Sequence, residues 1–178
     1  MKLKNKIQIA FFAFSIISFL AITPLISNYL EFYRAIEKCE VNLHEASLNL
    51  TRLNNGLVYL TLIFNVTNPT GFRGLTISTT TCNIRYITPD QTDFKQLQGR
   101  TETFHEPLDI PPLETTKMIL NFTFSYLSEQ LSVQEFMAVF LMEPEYVRFL
   151  FTGQFVLNAY TYTFAISMGP FASVINFG

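Results

Sequence analysis

Hydrophobic and polar positions follow two periods along this chain, and the change of period divides it. Residues 7–30, IQIAFFAFSIISFLAITPLISNYL, carry no charge, and Gln8 is the strongly polar member near the start. About twenty apolar residues of helix span the roughly 30 Å hydrocarbon core of a bilayer, so this run predicts a transmembrane helix. Residues 31–40 (EFYRAIEKCE) can carry the helix on for two or three turns as a stalk. The period then drops to two. Val41 and Leu43, then Ala46, Leu48 and Leu50, alternate with polar residues, with an irregularity expected near Glu45. Val58, Leu60, Leu62, Phe64 and Val66 predict one face of a long strand.

Turn signals separate the strands. Asn54-Asn55-Gly56 precedes the long strand and Asn68-Pro69-Thr70-Gly71 ends it. In the second turn Asn caps its own backbone, Pro presets φ and Gly is expected to accept a positive φ. Residues 75–88 predict a third strand. Residues 89–110 are polar and irregular and predict only a short strand over 99–104. In residues 117–125, Met118, Leu120, Phe122 and Phe124 share a face. Residues 128–142 predict the one helix of the domain, capped by Ser128 or Ser132, with Leu131, Phe136, Val139 and Phe140 on its apolar side. Residues 146–168 read as two closing strands or one bent strand, kinked or bulged at Gly153.

Six or seven half-buried strands predict an all-β sandwich with one domain helix, behind an N-terminal transmembrane helix. The organisation is a basic cytoplasmic tail over 1–6, a signal anchor over 7–30, a stalk over 31–40 and an extracytoplasmic domain over 41–178. The side of the membrane comes from charge. Lys2, Lys4 and Lys6 precede the apolar run and Glu31 follows it, so the positive-inside rule keeps the N-terminus in the cytoplasm. The competing reading is a cleaved signal peptide, but Ala21-Ile22-Thr23 before Pro24 is a poor cleavage site. Setting aside the three lysines leaves nine of the 12 basic residues against all 14 acidic ones, so the domain is near −5. That balance, with no basic run, argues against nucleic acid as a partner.

Catalytic and cofactor motifs are missing from the pattern. There is no G-x-S-x-G, P-loop, dinucleotide fingerprint or H-E-x-x-H, and no cofactor is implied. His44 and His105 stand far from other ligands at zinc spacing. Glu102, Glu106, Asp109 and Glu114 could gather a hard cation, but a solvated face fits them better than a calcium loop. Cys39 and Cys82, the only cysteines, either form a disulfide pinning the stalk to the sandwich or are two small buried thiols. Asn49, Asn65 and Asn121 head glycosylation sequons, each opposite in phase to the apolar residues of its strand. Phe136, Met137 and Phe140 could line a lipid-holding cavity between helix and sheet, with core packing the plainer reading.

Three stretches carry a family resemblance. Leu60 to Thr70 (LTLIFNVTNPT) is similar to a strand ending in Asn-Pro-Asn, with Thr70 in place of the second Asn. Leu75-Thr76-Ile77 follows where an apolar strand starts. Ile110-Pro111-Pro112 leads to an alternating strand, a helix and Phe151-Thr152-Gly153-Gln154-Phe155-Val156. Over residues 38–168 the chain resembles the late-embryogenesis-abundant group 2 family, whose module is the water-stress (WHy) domain. The resemblance implies a fibronectin type III-like sandwich without catalytic residues, associated with desiccation or stress tolerance and in some members with lipid. The expected function is a membrane-tethered binding or protective module, with lipid or another envelope protein as partner. The alternative is a pilin-like or envelope structural subunit, which also joins an apolar helix to a β domain.

Overall fold

The computed structural model describes residues 3–52, 55–88, 91–125, 131–142, 147–173 and 176–177. Its first element, α1 (Leu3–Lys38), is one unbroken helix of 36 residues, long and apolar enough to cross a membrane. Apolar side chains from Ile7 to Leu30 are exposed along it, as a lipid-facing surface requires. Pro24 lies inside the helix without ending it. Ser15 donates its hydroxyl to the Phe11 carbonyl (2.9 Å) and Thr23 to the Phe19 carbonyl (2.7 Å). Such back-bonding satisfies polar groups within the helix itself, where lipid offers no partner.

Among the described residues eight strands follow, in two four-stranded sheets. One has the order β5 (Glu114–Ser125), β2 (Leu57–Asn68), β1 (Glu40–Asn49), β8 (Asn176–Phe177). The other has the order β4 (Lys95–Ile110), β3 (Leu75–Ile87), β6 (Arg148–Ala159), β7 (Tyr162–Ser173). β8 runs parallel to β1 and the other pairs are antiparallel. This is the sandwich that the alternation predicts. Val58, Leu60, Leu62, Phe64 and Val66 of β2 are fully buried, as are Met118, Leu120, Phe122 and Phe124 of β5 opposite them. β1 carries its irregularity between Leu43 and Glu45, a bulge that lets Leu43 and Ala46 both point inward.

Three expectations need correction. β4 is a strand of 16 residues rather than a short one over 99–104. It hides from periodicity because it is an edge strand: only Leu97 and Ile110 are buried, and Pro107 is tolerated where a strand's outer side has no partner. The closing region is two strands, β6 and β7, and the second runs past Met168 to Ser173. Gly153 does sit at the register shift between them. Its reason is close approach: a Cβ there would meet the Thr81 carbonyl oxygen at 1.9 Å. The third correction is Gly71, which has no positive φ; the left-handed glycine of that connection is Gly74, at φ 97°.

The domain helix is α2 (Leu131–Met142). Ser132 falls inside its first turn rather than ahead of it, while Ser128 and the side chains of Leu131, Ser132, Val139, Leu141 and Met142 lie outside the described residues. The sandwich thus has two ends. The β2–β3, β4–β5 and β6–β7 connections share the end where α1 enters, and the β3–β4 connection and α2 share the other.

Candidate functional site: the helix–domain junction

The stalk expected over residues 31–40 is not a spacer. α1 continues to Lys38 and its last turns are packed into the sandwich. Phe32, Ala35 and Cys39 recur at helical spacing, and all three are buried, Phe32 to 3% exposure. The Phe32 ring meets those of Phe72 (5.5 Å between centroids), Tyr160 (5.9 Å) and Tyr162 (5.6 Å). The first comes from the β2–β3 connection and the other two flank the β6–β7 turn.

Directional bonds surround this contact. Asn28 accepts the Arg73 N–H on Oδ1 (3.0 Å) and donates Nδ2 to the Arg73 carbonyl (3.5 Å). Its Nδ2 also donates to the Tyr160 hydroxyl. The side-chain amide thereby pairs with backbone as a strand neighbour would. One turn further on, Glu31 accepts the Gly71 N–H (3.2 Å) and an ion-paired hydrogen bond from Arg34 (2.6 Å). The receiving loop is held from below by Asn68, which is fully buried. Asn68 Oδ1 accepts the Thr70 N–H (3.2 Å) and hydroxyl (2.8 Å), and Nδ2 donates to the Phe72 (3.0 Å) and Ile110 (3.4 Å) carbonyls. The Asn-Pro-Thr-Gly turn therefore does cap itself, and it also shapes the loop that α1 grips. Leu113 joins by donating its N–H to the Thr70 carbonyl (3.0 Å).

The sequence-predicted sites are scattered around this frame rather than collected in it. Cys39 and Cys82 are both buried and free. A disulfide between them is excluded by register. Leu43 pairs with Phe64, whose ring is 5.7 Å from that of Phe155, and Phe155 pairs with Thr80. Cys39 lies below that level and Cys82 above it, six residues apart in all along the strands. That is about 20 Å at some 3.3 Å per residue, against a limit near 7 Å between Cα atoms for a disulfide. Burial pushes the Cys82 thiol up to about 12, and burial, with the Glu40 charge, pushes Cys39 up to about 11.

Asn49 and Asn121 are exposed. Asn49 Oδ1 accepts the Thr51 N–H (2.9 Å) and hydroxyl (2.6 Å), while Asn121 accepts the Thr61 hydroxyl across the ladder (2.9 Å). Asn65 keeps the outer-face phase expected of it, between buried Phe64 and Val66. It is only half-exposed because β2 is a central strand, and its side-chain Oδ1 is out of solvent without a hydrogen-bond partner. Phe136, Met137 and Phe140 face the core. The Phe136 ring lies 5.3 to 5.7 Å from those of Tyr86, Phe124, Phe140 and Phe149. This is the core-packing arrangement of these three side chains, at the sandwich end where β3, β5 and β6 meet α2. His44 and His105 stand on β1 and β4, in different sheets. Among the described residues no three His, Cys, Asp or Glu side chains gather at metal-binding distance, and Glu102 pairs instead with Arg100 (3.4 Å).

Sequence reasoning missed the junction, although it left a signal. Asn28 interrupts the apolar run, and Phe32, Ala35 and Cys39 form a stripe across the segment read as a stalk.

No family model and no curated protein matches the chain. Some solved structures match part of it. A protein from Archaeoglobus fulgidus has 9% identity and a TM-score of 0.42, covering 71% of this chain and 94% of its own. A Bordetella pertussis protein described as ApaA has 8% identity and a TM-score of 0.46, covering 77% and 94%. An Arabidopsis thaliana protein solved in solution has 12% identity and a TM-score of 0.43, covering 78% and 85%. At such identities and overlaps these likenesses say nothing of activity.

Proposed function

We propose that this protein is a membrane-tethered, non-catalytic binding or protective module whose β-sandwich is held against the outer or lumenal face of a membrane. The observation that carries this reading is the junction. One helix is apolar and exposed over residues 7–26, enough to cross a bilayer, and is then locked to the domain by Asn28, Glu31 and Phe32. A flexible leash would serve a domain that searches for distant partners, whereas a locked one suits work at the bilayer surface itself. The basic start of the chain supports an N-terminus in the cytoplasm. We further propose membership of the late-embryogenesis-abundant group 2 family. The support is the Asn68-Pro69-Thr70 turn and the strands around it, and that family's stress association gives the protective half of the reading.

Two measurements test it. Asp93→Cys places a reactive thiol on the exposed β3–β4 connection, over a silent background of two buried cysteines. Sealed membrane vesicles treated with a membrane-impermeant maleimide should label it when their outer or lumenal face is turned outward; labelling only when the cytoplasmic face is outward would place the domain in the cytoplasm. Vesicles carrying the full chain should retain more trapped dye through drying and rehydration than vesicles carrying an unrelated single-span protein. Equal leakage would remove the protective role.

A further inference from the structure

The sandwich end around α1 leaves large apolar side chains exposed beside and beyond the junction. Leu113 is 73% exposed at the β4–β5 turn, and Tyr160 and Tyr162 are each 55% exposed at the β6–β7 turn. Tyr29 and Tyr33 stand half-exposed beside them on α1, their hydroxyls 2.9 Å apart. Elsewhere among the described residues of the sandwich, only Phe94 and Ile119 are large, apolar and exposed, and they stand alone. Leu113 and Tyr160 also hold left-handed backbone, φ 60° and 54°, a conformation that glycine or asparagine adopts more readily. An exposed leucine kept in that conformation gains no burial from the protein in return.

α1 fixes where these side chains lie. Starting at Ile7, about twenty residues at 1.5 Å each cross the hydrocarbon core and end near Ile26. Asn28 is then about 3 Å beyond the core, inside the headgroup layer. Tyr160 bonds to Asn28, so its hydroxyl shares that depth. Tyr162 follows at the start of β7, and Leu113 is tied through Thr70 to the loop that Glu31 holds. Tyrosine is the residue that settles in this layer, with its ring toward the chains and its hydroxyl toward water.

We infer that Leu113, Tyr160 and Tyr162 form a second membrane contact, a collar that enters the interfacial layer around α1 and seats the sandwich on the bilayer. The inference rests on α1 spanning that bilayer. The occupant is lipid rather than a second copy or another protein, because α1 brings the bilayer to this end of the domain wherever the chain is inserted.

The chain contains no tryptophan, so a single introduced one reports its own surroundings. Leu113→Trp, Tyr162→Trp, Tyr29→Trp and Phe94→Trp are made in the full chain and reconstituted in phosphatidylcholine vesicles. Some carry bromine near the top of the acyl chains. Leu113→Trp and Tyr162→Trp should show blue-shifted emission, quenched by the brominated lipid and protected from aqueous iodide. Phe94→Trp should show the opposite, since β3 places it about 40 Å away at some 3.3 Å per residue. Quenching of Tyr29→Trp without quenching at 113 and 162 overturns the collar and leaves the span intact. An unquenched Tyr29→Trp overturns both. Protection from iodide and bromine together at 113 and 162 means another polypeptide covers the collar, which also overturns it.

Discussion

Each end of the sandwich is closed by a phenylalanine from a helix, and the two closures differ in what surrounds the ring. At the distal end Phe136 of α2 lies among Tyr86, Phe124, Phe140 and Phe149, with partners from both sheets. At the proximal end Phe32 of α1 lies among Phe72, Tyr160 and Tyr162, and Asn28 and Glu31 add directed hydrogen bonds to loop backbone. Apolar contact has little preference for angle, whereas a side-chain amide paired with a peptide group has a strong one. The distal closure therefore contributes mainly stability, and the proximal closure adds a fixed angle between membrane span and domain.

The largest effect that would break this contrast is at the distal ring. Phe136→Ala should cost about 3–5 kcal/mol, as truncation of a fully buried aromatic does. Because Phe136 bridges the two sheets, the loss should appear as lower stability of the whole domain in denaturant unfolding of the detergent-solubilised chain. Phe32→Ala should cost less, about 1.5–3 kcal/mol, near the transfer value for one Phe side chain. Its cavity opens beside half-exposed tyrosines that can move into it. Spin-label distances between α1 and the sandwich should broaden in Phe32→Ala and stay sharp in Phe136→Ala. Equal broadening would erase the distinction between the ends.

The thiols sharpen it further, since Cys39 belongs to the proximal closure and Cys82 to the middle of the core. Both are held protonated by burial, with values near 11 and 12 against an ordinary 9, so neither should react with a disulfide reagent at pH 8. A thiol whose folded value is raised favours the folded state in full below its unfolded value. That contribution shrinks as pH rises from about 9 to about 12. Unfolding midpoints should accordingly fall across that window and less so in Cys82→Ala. Phe32→Ala should expose Cys39 alone to the reagent. Reaction of Cys82 at the same rate would show that the proximal closure cannot loosen without the core.

How legible these two ends are in the sequence follows from their periods. Strand alternation is a strict local signal, and it placed the core faces of β2 and β5 and even the bulge beside Glu45 of β1. β4 was hidden because an edge strand has little to bury; its charges and Pro107 read as loop. The distal closure was half legible: the apolar surplus on Phe136, Met137 and Phe140 was plain, but not that two sheets would share it. The proximal closure was nearly invisible. Its partners lie 40 to 132 positions apart, as with Glu31 and Gly71 or Asn28 and Tyr160, and no local period connects them. Leu113 and Tyr160 owe their exposure to turn geometry, which hydropathy does not encode.

Smaller effects are expected from the polar bonds of the junction. Asn28→Ala removes two bonds to Arg73 and one to Tyr160 at a half-exposed site, which should cost about 1–2 kcal/mol at roughly 0.5–1.5 each less what water restores. Glu31→Gln keeps an acceptor for the Gly71 N–H and should be milder still. The telling readout is again the helix–domain angle. Asn28→Ala should widen the distance distribution more than its stability cost suggests, whereas a widening no greater than that of any surface variant would mean that Phe32 alone sets the angle.

The smallest expected effect is at the distal surface, where Lys95 Nζ meets Glu135 Oε2 at 3.0 Å and ties β4 to α2. Both side chains are nearly half-exposed, at 47% and 45%. Water screens such a pair, and ordering two long side chains offsets most of what remains. Lys95→Ala should therefore leave the unfolding midpoint unchanged within error, at low salt as at high salt. Arg34→Ala, which removes the partner of Glu31 on the proximal side, should also leave the midpoint in place, because Arg34 is 65% exposed. It should nevertheless shift the helix–domain distance slightly, since Arg34 steadies the carboxylate that holds the Gly71 N–H. Two ion pairs of similar length would then differ in what they control. An unmoved angle in Arg34→Ala would show that exposure rather than position decides their role, whereas a clear stability loss in Lys95→Ala would show that an exposed pair can matter for stability at the distal end.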